Sequence, residues 1–327
     1  MVQSPVSPCP ANTCPANASS GSASSSPDTP QLEASPQGAK RTILIAEHAG
    51  FCHGVKKAVN RTVEANNQTE KPVYVLGQLI HNQQEVDRLA QMGIQTVQSL
   101  EEIPAGSVCV IRTHGAPPSL VQQAQERGIE VTDATCPDVR LVQDKAIELV
   151  REGYTVVVVG KSNHPEVIGI RAYAEQIAGA TVVAVNHPDE ALEALKNLPK
   201  RRIGVVSQTT QMEDTFFDTV RALSKLAKEL KVHNTICPAT YYRQHAALDL
   251  SAQVDLMVVV GGKNSSNTTH LAQICKDQGT ETIHIETWQE LEEYAPLQVA
   301  RRVGVTAGAS TPDWLVDEVI DYLSNLS

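Results

Sequence analysis

The chain has 327 residues, 41% of them hydrophobic, and carries 27 basic against 37 acidic side chains, for a formal net charge of −10. This length and apolar content are enough to bury one large core or several smaller ones. The negative balance argues against broad binding of nucleic acid or of an anionic membrane, because both need a positive surface field, but it leaves room for a local pocket that takes a small anionic substrate.

The first 40 residues differ in composition from the rest. They contain nine Ser, seven Pro, six Ala and two Gly, and no aromatic residue. Such a segment buries too little apolar surface to offset its ordering entropy, so we predict a disordered tail at residues 1–40. The tail has no basic stretch followed by an apolar one, and no run of about 18 apolar residues occurs anywhere, so we expect a cytoplasmic protein without a membrane span.

Predicted strands and helices alternate from Thr42 onward. Short β-branched runs are separated by amphipathic stretches, a pattern typical of parallel α/β sheets. The helical stretches include residues 121–127, 139–151 and 191–198. The predicted strands include residues 42–46, 73–76, 108–112, 156–159, 181–185, 203–207, 256–260, 282–285 and 303–306.

One pattern occurs three times along the chain. A cysteine stands in each of the segments GFCHG, ATCPD and TICPA, and each segment is followed by a helical stretch and a β run that ends in glycine. The glycine follows Cys52 by 25 residues and follows both Cys136 and Cys237 by 24. Thr209 and Ser310 each follow their own cysteine by 73 residues. A repeated strand–helix unit of this kind predicts three similar lobes, each contributing one cysteine.

The cysteines indicate a metal centre. Cys136 and Cys237 are each followed by proline, which favours the first position of a helix, so each thiol is predicted near a helix N-terminus that would lower its pKa. Cys109 and Cys275 stand in apolar segments and are predicted to be buried packing residues. Three thiolates without a fourth equivalent suggest a [4Fe–4S] cluster with one iron free for substrate, while a three-iron cluster or a zinc ion with bound water remains open.

The predicted fold is therefore α/β, with three similar parallel-sheet lobes in a pseudo-threefold arrangement around a central iron–sulfur cluster. We assign the lobes to residues 41–136, 137–236 and 237–327, and residues 41–53 pack either within the first lobe or with the third. The spacing from Cys52 to His114 is only 62 residues, so the first lobe is predicted to be the shorter one.

Polar residues at equivalent strand ends are predicted to surround the open position of the metal centre. Protonated imidazoles together with hydroxyl and amide donors would suit a phosphate-bearing ligand. Glu166 is the one carboxylate of the group, and it would serve as a proton donor if burial raises its pKa. The group consists of His81, His114, His164, Glu166, Thr209, Ser265, Asn267 and Ser310.

Several short motifs of the chain resemble those of a known family. The motifs GFCHGV, THG, DATCP, HPE, QTT, KNSSN and GVTAGAS occur in the order and spacing of 4-hydroxy-3-methylbut-2-enyl diphosphate reductase, over residues 42–325. The resemblance implies reductive removal of an allylic hydroxyl group, which yields isopentenyl and dimethylallyl diphosphates in the last step of the methylerythritol phosphate route. It also implies a [4Fe–4S] cluster on Cys52, Cys136 and Cys237, whose free iron binds the hydroxyl oxygen.

The resemblance further implies roles for individual residues. Glu166 supplies protons and Thr209 organises the proton relay, with His164 beside the same motif. A ferredoxin or flavodoxin delivers the electrons. The diphosphate is held by His81, His114, Ser265, Asn267 and Ser310, with Ser266 and Thr210 as adjacent matches.

Two other readings compete with the reductase. Another open-cluster enzyme, such as a dehydratase or a quinolinate-synthase-like enzyme, also uses three cysteines. A non-enzymatic iron–sulfur redox sensor would need an exposed cluster but no ring of His, Ser, Asn and Glu, and the chain shows no basic DNA-binding element.

Overall fold

The structure is a computed structural model that describes residues 41–326, so the predicted tail lies outside the described residues. All strand pairs in this range are parallel. The strands are β1 (Thr42–Ile45), β2 (Val73–Leu76), β3 (Gln95–Val97), β4 (Val108–Ile111), β5 (Glu130–Asp133), β6 (Thr155–Val159), β7 (Val182–Val185), β8 (Arg202–Ser207), β9 (Glu229–Val232), β10 (Leu256–Val260), β11 (Glu281–Ile285) and β12 (Arg302–Ala307).

Helices connect the strands and cover both faces of the sheets. Three of them begin directly after the repeated cysteines. The helices are α1 (His53–Asn67), α2 (Gln83–Gln91), α3 (Pro118–Glu126), α4 (Pro137–Arg151), α5 (Pro165–Ala174), α6 (Pro188–Ala194), α7 (Glu213–Ser224), α8 (Pro238–Ser251), α9 (Ser266–Asp277), α10 (Ala295–Val299) and α11 (Asp313–Asn325).

The strands form three four-stranded sheets with the same internal order. The orders are β3-β2-β4-β5, β7-β6-β8-β9 and β11-β10-β12-β1. The predicted three-lobe α/β fold is therefore confirmed. Central strands such as β6 and β10 are buried along their whole length, as expected for parallel sheets with helices on both faces. In β4, Val108 and Val110 pack into one apolar cluster, and Cys109 and Ile111 pack into another.

The first strand of the chain belongs to the sheet of the third lobe. β1 pairs with β12, and it occupies in the third sheet the edge position that β5 and β9 hold in the other two. Each repeated cysteine follows one of these edge strands and precedes a helix that packs on the next lobe, as α4 does on β6 and β8. The three cysteines thus lie where the chain passes between lobes, which brings the lobe edges to a common centre.

Three edge strands were not among the predicted ones. β3, β5 and β9 are short, half-exposed and contain polar residues, for example Glu-Val-Thr-Asp in β5. Edge strands lie at the margin of the sheet, so they do not need the continuous apolar run that marks a central strand. Within residues 41–326, no helix is long and apolar enough to cross a membrane.

Candidate active site

A single cavity lies at the carboxyl ends of the strands. Every one of the twelve predicted site residues lines it. This follows from the topology, because loops after the carboxyl ends of parallel strands share one edge of each sheet. The predicted residues in its wall are Cys52, His81, His114, Cys136, His164, Glu166, Thr209, Cys237, Ser265, Ser266, Asn267 and Ser310.

Six helix N-termini point into this cavity, two from each lobe. Cys52, Cys136 and Cys237 are the N-cap residues of α1, α4 and α8. The helices α2, α5 and α9 begin beside the other polar groups, and His164 and Ser265 are themselves N-caps. Helix N-termini carry partial positive charge and unpaired N–H groups, so the cavity favours anionic groups although the whole chain is acidic.

The three thiols come together at the base of the cavity. A Cβ atom placed on Gly54 would lie 2.6 Å from the Sγ of Cys136 and 3.9 Å from the Sγ of Cys52, so glycine is needed there to let α1 approach both sulfurs. The Sγ of Cys52 accepts a hydrogen bond from the Val55 N–H at 3.4 Å. The three thiols are partly buried, whereas Cys109 and Cys275 are fully buried in the apolar core, as predicted.

The thiol pKa values differ from the expectation based on the helix N-termini. Burial raises the pKa of Cys136 to about 12 and that of Cys237 to about 11, and these increases exceed the lowering by nearby N–H donors. The expected lowering of these two pKa values is therefore wrong, because desolvation of the thiolate raises each pKa more than the helix N-terminus lowers it. Such thiols release their protons readily only when a cation binds the sulfur. A site with three soft sulfur donors suits iron or zinc.

Three imidazoles form the opposite wall of the cavity. The rings of His81 and His114 stack at 4.4 Å between centroids, and His164 lies edge-on to them at 5.5 and 5.2 Å. Their potential ligand atoms all lie within 4.8 Å of one another. The Nδ1 atom of His164 accepts the Glu166 N–H at 3.2 Å, which leaves Nε2 as the donor of the neutral ring. This spacing would allow the rings to contact one small anion or one metal ion.

The protonation state of the imidazoles also differs from the expectation. Burial lowers the pKa of His81 to about 4 and that of His164 to about 3, and it lowers the pKa of His114 well below its usual range. Arg112 adds to the lowering for all three rings, because its positive charge opposes a second one nearby. The rings are thus neutral near pH 7 until an anion offsets the desolvation.

Several polar atoms of this wall have no partner among residues 41–326. They are both ring nitrogens of His81, the Nδ1 atom of His114 and both side-chain amide atoms of Asn267. Ser310 donates to the backbone oxygen of His81 at 3.2 Å, and its hydroxyl lies 3.4 Å from that of Ser265. Buried polar groups are almost always hydrogen-bonded. A ligand that both donates and accepts hydrogen bonds would satisfy these atoms.

Glu166 is held by a single residue across the cavity. Its side chain is 1% exposed. The Thr209 N–H donates to Oε1 at 2.6 Å and the Thr209 hydroxyl donates to Oε2 at 2.8 Å. Burial raises the pKa of Glu166 to about 7, and the two bonds from Thr209 limit the increase. A carboxyl group with this pKa can both give and take a proton near neutral pH.

Other residues near the cavity were not predicted. Thr113 and Asp138 line it, and so does Thr240, whose hydroxyl lies 3.2 Å from the Sγ of Cys237. Asp138 raises the pKa of Glu166 further by like-charge repulsion. A usable signal was present in the sequence, because Asp138 and Thr240 fall in the first helical turn after a repeated cysteine. Thr210, an adjacent match by resemblance, also lines the cavity.

Comparison with known proteins gives consistent relatives. The family model described as LytB protein matches residues 43–324. The 4-hydroxy-3-methylbut-2-enyl diphosphate reductase of Aquifex aeolicus is 46% identical over 277 residues, which is 85% of this chain and 94% of that protein. The reductase of the same name from Geobacter sulfurreducens is 46% identical over 281 residues, covering 86% of this chain and 96% of that one.

Two solved structures share this fold. One is an (E)-4-hydroxy-3-methyl-but-2-enyl diphosphate reductase described as the terminal enzyme of the non-mevalonate pathway. It is 44% identical, with a TM-score of 0.65 over 87% of this chain and 99% of that one. The second, a diphosphate reductase from Plasmodium falciparum, is 26% identical, with a TM-score of 0.80 over 88% and 89% of the two chains. The relatives, the matched residues and the three-lobe fold agree, and the chain belongs to the LytB protein family.

Proposed function

We propose that this protein is a reductase that removes the allylic hydroxyl group of (E)-4-hydroxy-3-methylbut-2-enyl diphosphate. The reaction consumes two electrons and two protons, releases water, and gives isopentenyl diphosphate and dimethylallyl diphosphate. It is the last step of the methylerythritol phosphate route to isoprenoids. The observation that carries the proposal is the convergence of three cysteines, three histidines and the Glu166–Thr209 pair on one cavity.

The cofactor we propose is one [4Fe–4S] cluster held by Cys52, Cys136 and Cys237. These thiols line the same cavity, burial of Cys136 and Cys237 disfavours their thiolates unless a cation is bound, and no further cysteine among residues 41–326 reaches it. When bound there, the cluster would supply one iron without a cysteine ligand as a Lewis acid for the hydroxyl group, and a path for the electrons.

The diphosphate is assigned to the wall formed by the imidazoles and α9. His81, His114 and Asn267 offer buried polar atoms without partners, and Ser265 and Ser266 stand at the N-terminus of α9. An anion placed there would receive hydrogen bonds and would also favour protonation of the rings. The same contacts hold the substrate so that its hydroxyl end faces the cysteines.

Glu166 is assigned to proton transfer. Its pKa of about 7 keeps a useful fraction of the group protonated near neutral pH. Thr209 fixes both carboxylate oxygens and orients the group toward the cavity. Protonation of the departing hydroxyl group lets it leave as water, so Glu166 should act on the chemical step and contribute little to substrate affinity.

A ferredoxin or flavodoxin is the electron donor we propose, since the reaction needs two electrons in single steps and the chain has no sequence motif for a flavin or nicotinamide. We place the reaction in the cytoplasm, where reducing conditions keep the thiols available for iron.

The deciding experiment uses the full chain, prepared without oxygen. Iron and sulfide are quantified, and the allylic diphosphate is then supplied with reduced methyl viologen. We expect about four irons per chain and formation of both diphosphate products, identified by mass spectrometry. Full iron content without turnover of this substrate would favour another open-cluster enzyme or a redox sensor and would contradict the proposal.

A further inference from the structure

A basic groove lies on the outer side of the three-cysteine cavity, between the beginnings of α1 and α4. The charged side chains in its wall are Lys57, Arg61 and Arg140, and the carboxylate of Asp133. All three basic residues are exposed. The formal net charge of the whole chain is −10, so the charge of this groove is opposite in sign to that of the chain.

The floor of the groove is the backbone against which the thiols pack. Gly54 lines the groove, and a Cβ atom there would lie 2.6 Å from the Sγ of Cys136 and 3.9 Å from that of Cys52. Pro137, the residue after Cys136, lines it as well. Only one turn of backbone therefore separates the groove from two of the three sulfurs.

Much of the positive charge is free to meet a partner. Neither Lys57 nor Arg61 forms an ion pair within residues 41–326, whereas Arg140 pairs with Asp133 and the neighbouring Lys56 pairs with Asp313 at 2.9 Å. α1 has no acidic residue in its first turn. Exposed charges of one sign that are not paired within the protein create a long-range field that steers an oppositely charged protein.

We propose that this groove docks an acidic protein that carries single electrons, and that the electrons enter the metal centre past Gly54. This inference rests on the proposed function. The cavity itself would hold the diphosphate, which blocks that side, so a carrier must approach from outside. Two reduced carrier molecules each lose one electron for every substrate molecule. These two electrons and two protons break the C–O bond, and one proton leaves in the water while the other forms the new C–H bond of the product.

A second surface near the metal centre competes with the groove. Tyr241 and Tyr242 are 40% and 54% exposed one turn after Cys237, and the adjoining pocket contains Glu213. Of the residues from 41 to 326, Glu213 is the only one with a charged side chain in the wall of that pocket, so an acidic carrier would be repelled there. The charges therefore favour the groove as the docking site for an acidic carrier. The tyrosines are as near to Cys237 in the sequence as Lys57 is to Cys52.

The test compares charge reversal in the groove with the same change elsewhere. The groove variant is Lys57→Glu with Arg61→Glu. The control is Lys225→Glu with Lys228→Glu, two exposed lysines without ion pairs among the described residues, near the end of α7 and the start of β9. Binding of an oxidised, acidic [2Fe–2S] ferredoxin to the cluster-loaded protein is measured by calorimetry at an ionic strength of about 20 mM, where screening is weak.

We expect the groove variant to bind the ferredoxin at least about tenfold more weakly than the control. The remaining affinity of the groove variant should depend little on salt concentration. Its iron content and its turnover with reduced methyl viologen should stay close to those of the parent. Equal ferredoxin binding by the groove variant and the control would overturn the proposal. So would weaker binding of Tyr242→Ser together with unchanged binding of the groove variant, which would place docking on the aromatic surface. Loss of methyl viologen turnover in the parent would count against the proposed function instead, and the binding comparison would still decide the docking site.

Discussion

Thr209 holds both carboxylate oxygens of Glu166, with its N–H on Oε1 at 2.6 Å and its hydroxyl on Oε2 at 2.8 Å. The two residues are 43 positions apart in the sequence and belong to one lobe. The pair balances two effects on the acid, since burial raises its pKa and the hydrogen bonds lower it. The result is a carboxyl group poised near pH 7, oriented by a residue that does not itself ionise.

Replacing Glu166 by glutamine should abolish most turnover and leave binding intact. Glutamine keeps an acceptor for the Thr209 N–H but cannot cycle a proton, and general acid catalysis typically contributes about 10²- to 10⁴-fold in rate. We expect kcat to fall by roughly that factor, with iron content and substrate dissociation constant close to the parent values. Turnover near the parent rate would show that water or the substrate's own diphosphate delivers the proton.

The pH dependence should report the same group. Because the pKa of Glu166 is raised to about 7, its protonated form is lost above neutral pH, and kcat should decline there. Thr209→Val removes one hydrogen bond to the ionised form, so it should move this decline to higher pH. The pH–rate profile of each protein is measured with reduced methyl viologen. An unshifted profile in Thr209→Val would contradict the assignment.

The same shift affects stability. A proton is bound more tightly in the folded state than in the unfolded one, where the pKa is 4.5. The contribution of Glu166 to stability is therefore complete below about pH 4.5 and is lost as the pH rises through about 7. The free energy of unfolding of Glu166→Gln should lack this part of the pH dependence, which chemical denaturation at several pH values would reveal.

Two serine variants should separate ligand binding from helix capping. Ser265 accepts a hydrogen bond from the Thr268 N–H at 3.4 Å as the N-cap of α9, whereas Ser310 caps no helix. Loss of a donor to an anionic group costs roughly 1.5–3 kcal/mol, or about ten- to a hundredfold in affinity. Ser265→Ala should show this loss together with a clearly lower melting temperature. Ser310→Ala should show the loss of affinity with a smaller change in melting temperature, because it removes a hydrogen bond to the backbone oxygen of His81 but no helix cap. Substrate titration and thermal unfolding of both variants give the answer.

Serine substitution should distinguish the metal-centre cysteines from the packing cysteines. Cys136→Ser should lose most of the bound iron and the activity, because one of three ligands is removed. Cys109→Ser and Cys275→Ser are the matched controls, since both thiols are fully buried in the apolar core and should cost packing stability only. Iron analysis and melting temperature are compared across the three. Full iron content in Cys136→Ser would refute the ligand assignment.

Binding of a diphosphate should draw protons onto the imidazoles. The pKa values of about 4 for His81 and about 3 for His164 leave both rings neutral near pH 7, and a nearby anion would raise them. Calorimetric binding of inorganic pyrophosphate in buffers of different ionisation enthalpy should therefore show proton uptake, and affinity should fall as the pH rises. The combined variant His81→Asn and His114→Asn should lose most of this uptake. Binding without buffer dependence would mean that the rings bind the anion in their neutral form.

The sequence alone determined the three-lobe α/β fold and the identity of the repeated residues. Fully buried strands such as β6 need continuous apolar runs, and equal spacings of Cys136 and Cys237 to later glycines follow from one repeated unit. Helix starts were also predictable, because the proline after each of these cysteines fixes the first turn. These features can be read from short segments of sequence and from their recurrence along the chain.

Only the tertiary structure decided how the lobes are joined and how the groups in the cavity are charged. The pairing of β1 with β12 joins residues 260 positions apart at Thr42 and Arg302, and no local pattern predicts it. Without a bound ligand the imidazoles are neutral rather than protonated, and the pKa values of Cys136 and Cys237 are raised rather than lowered, because burial in the assembled cavity outweighs the helix N-termini. Desolvation depends on what surrounds a group from all three lobes, so it is a property of the fold and cannot be obtained from neighbouring residues in the sequence.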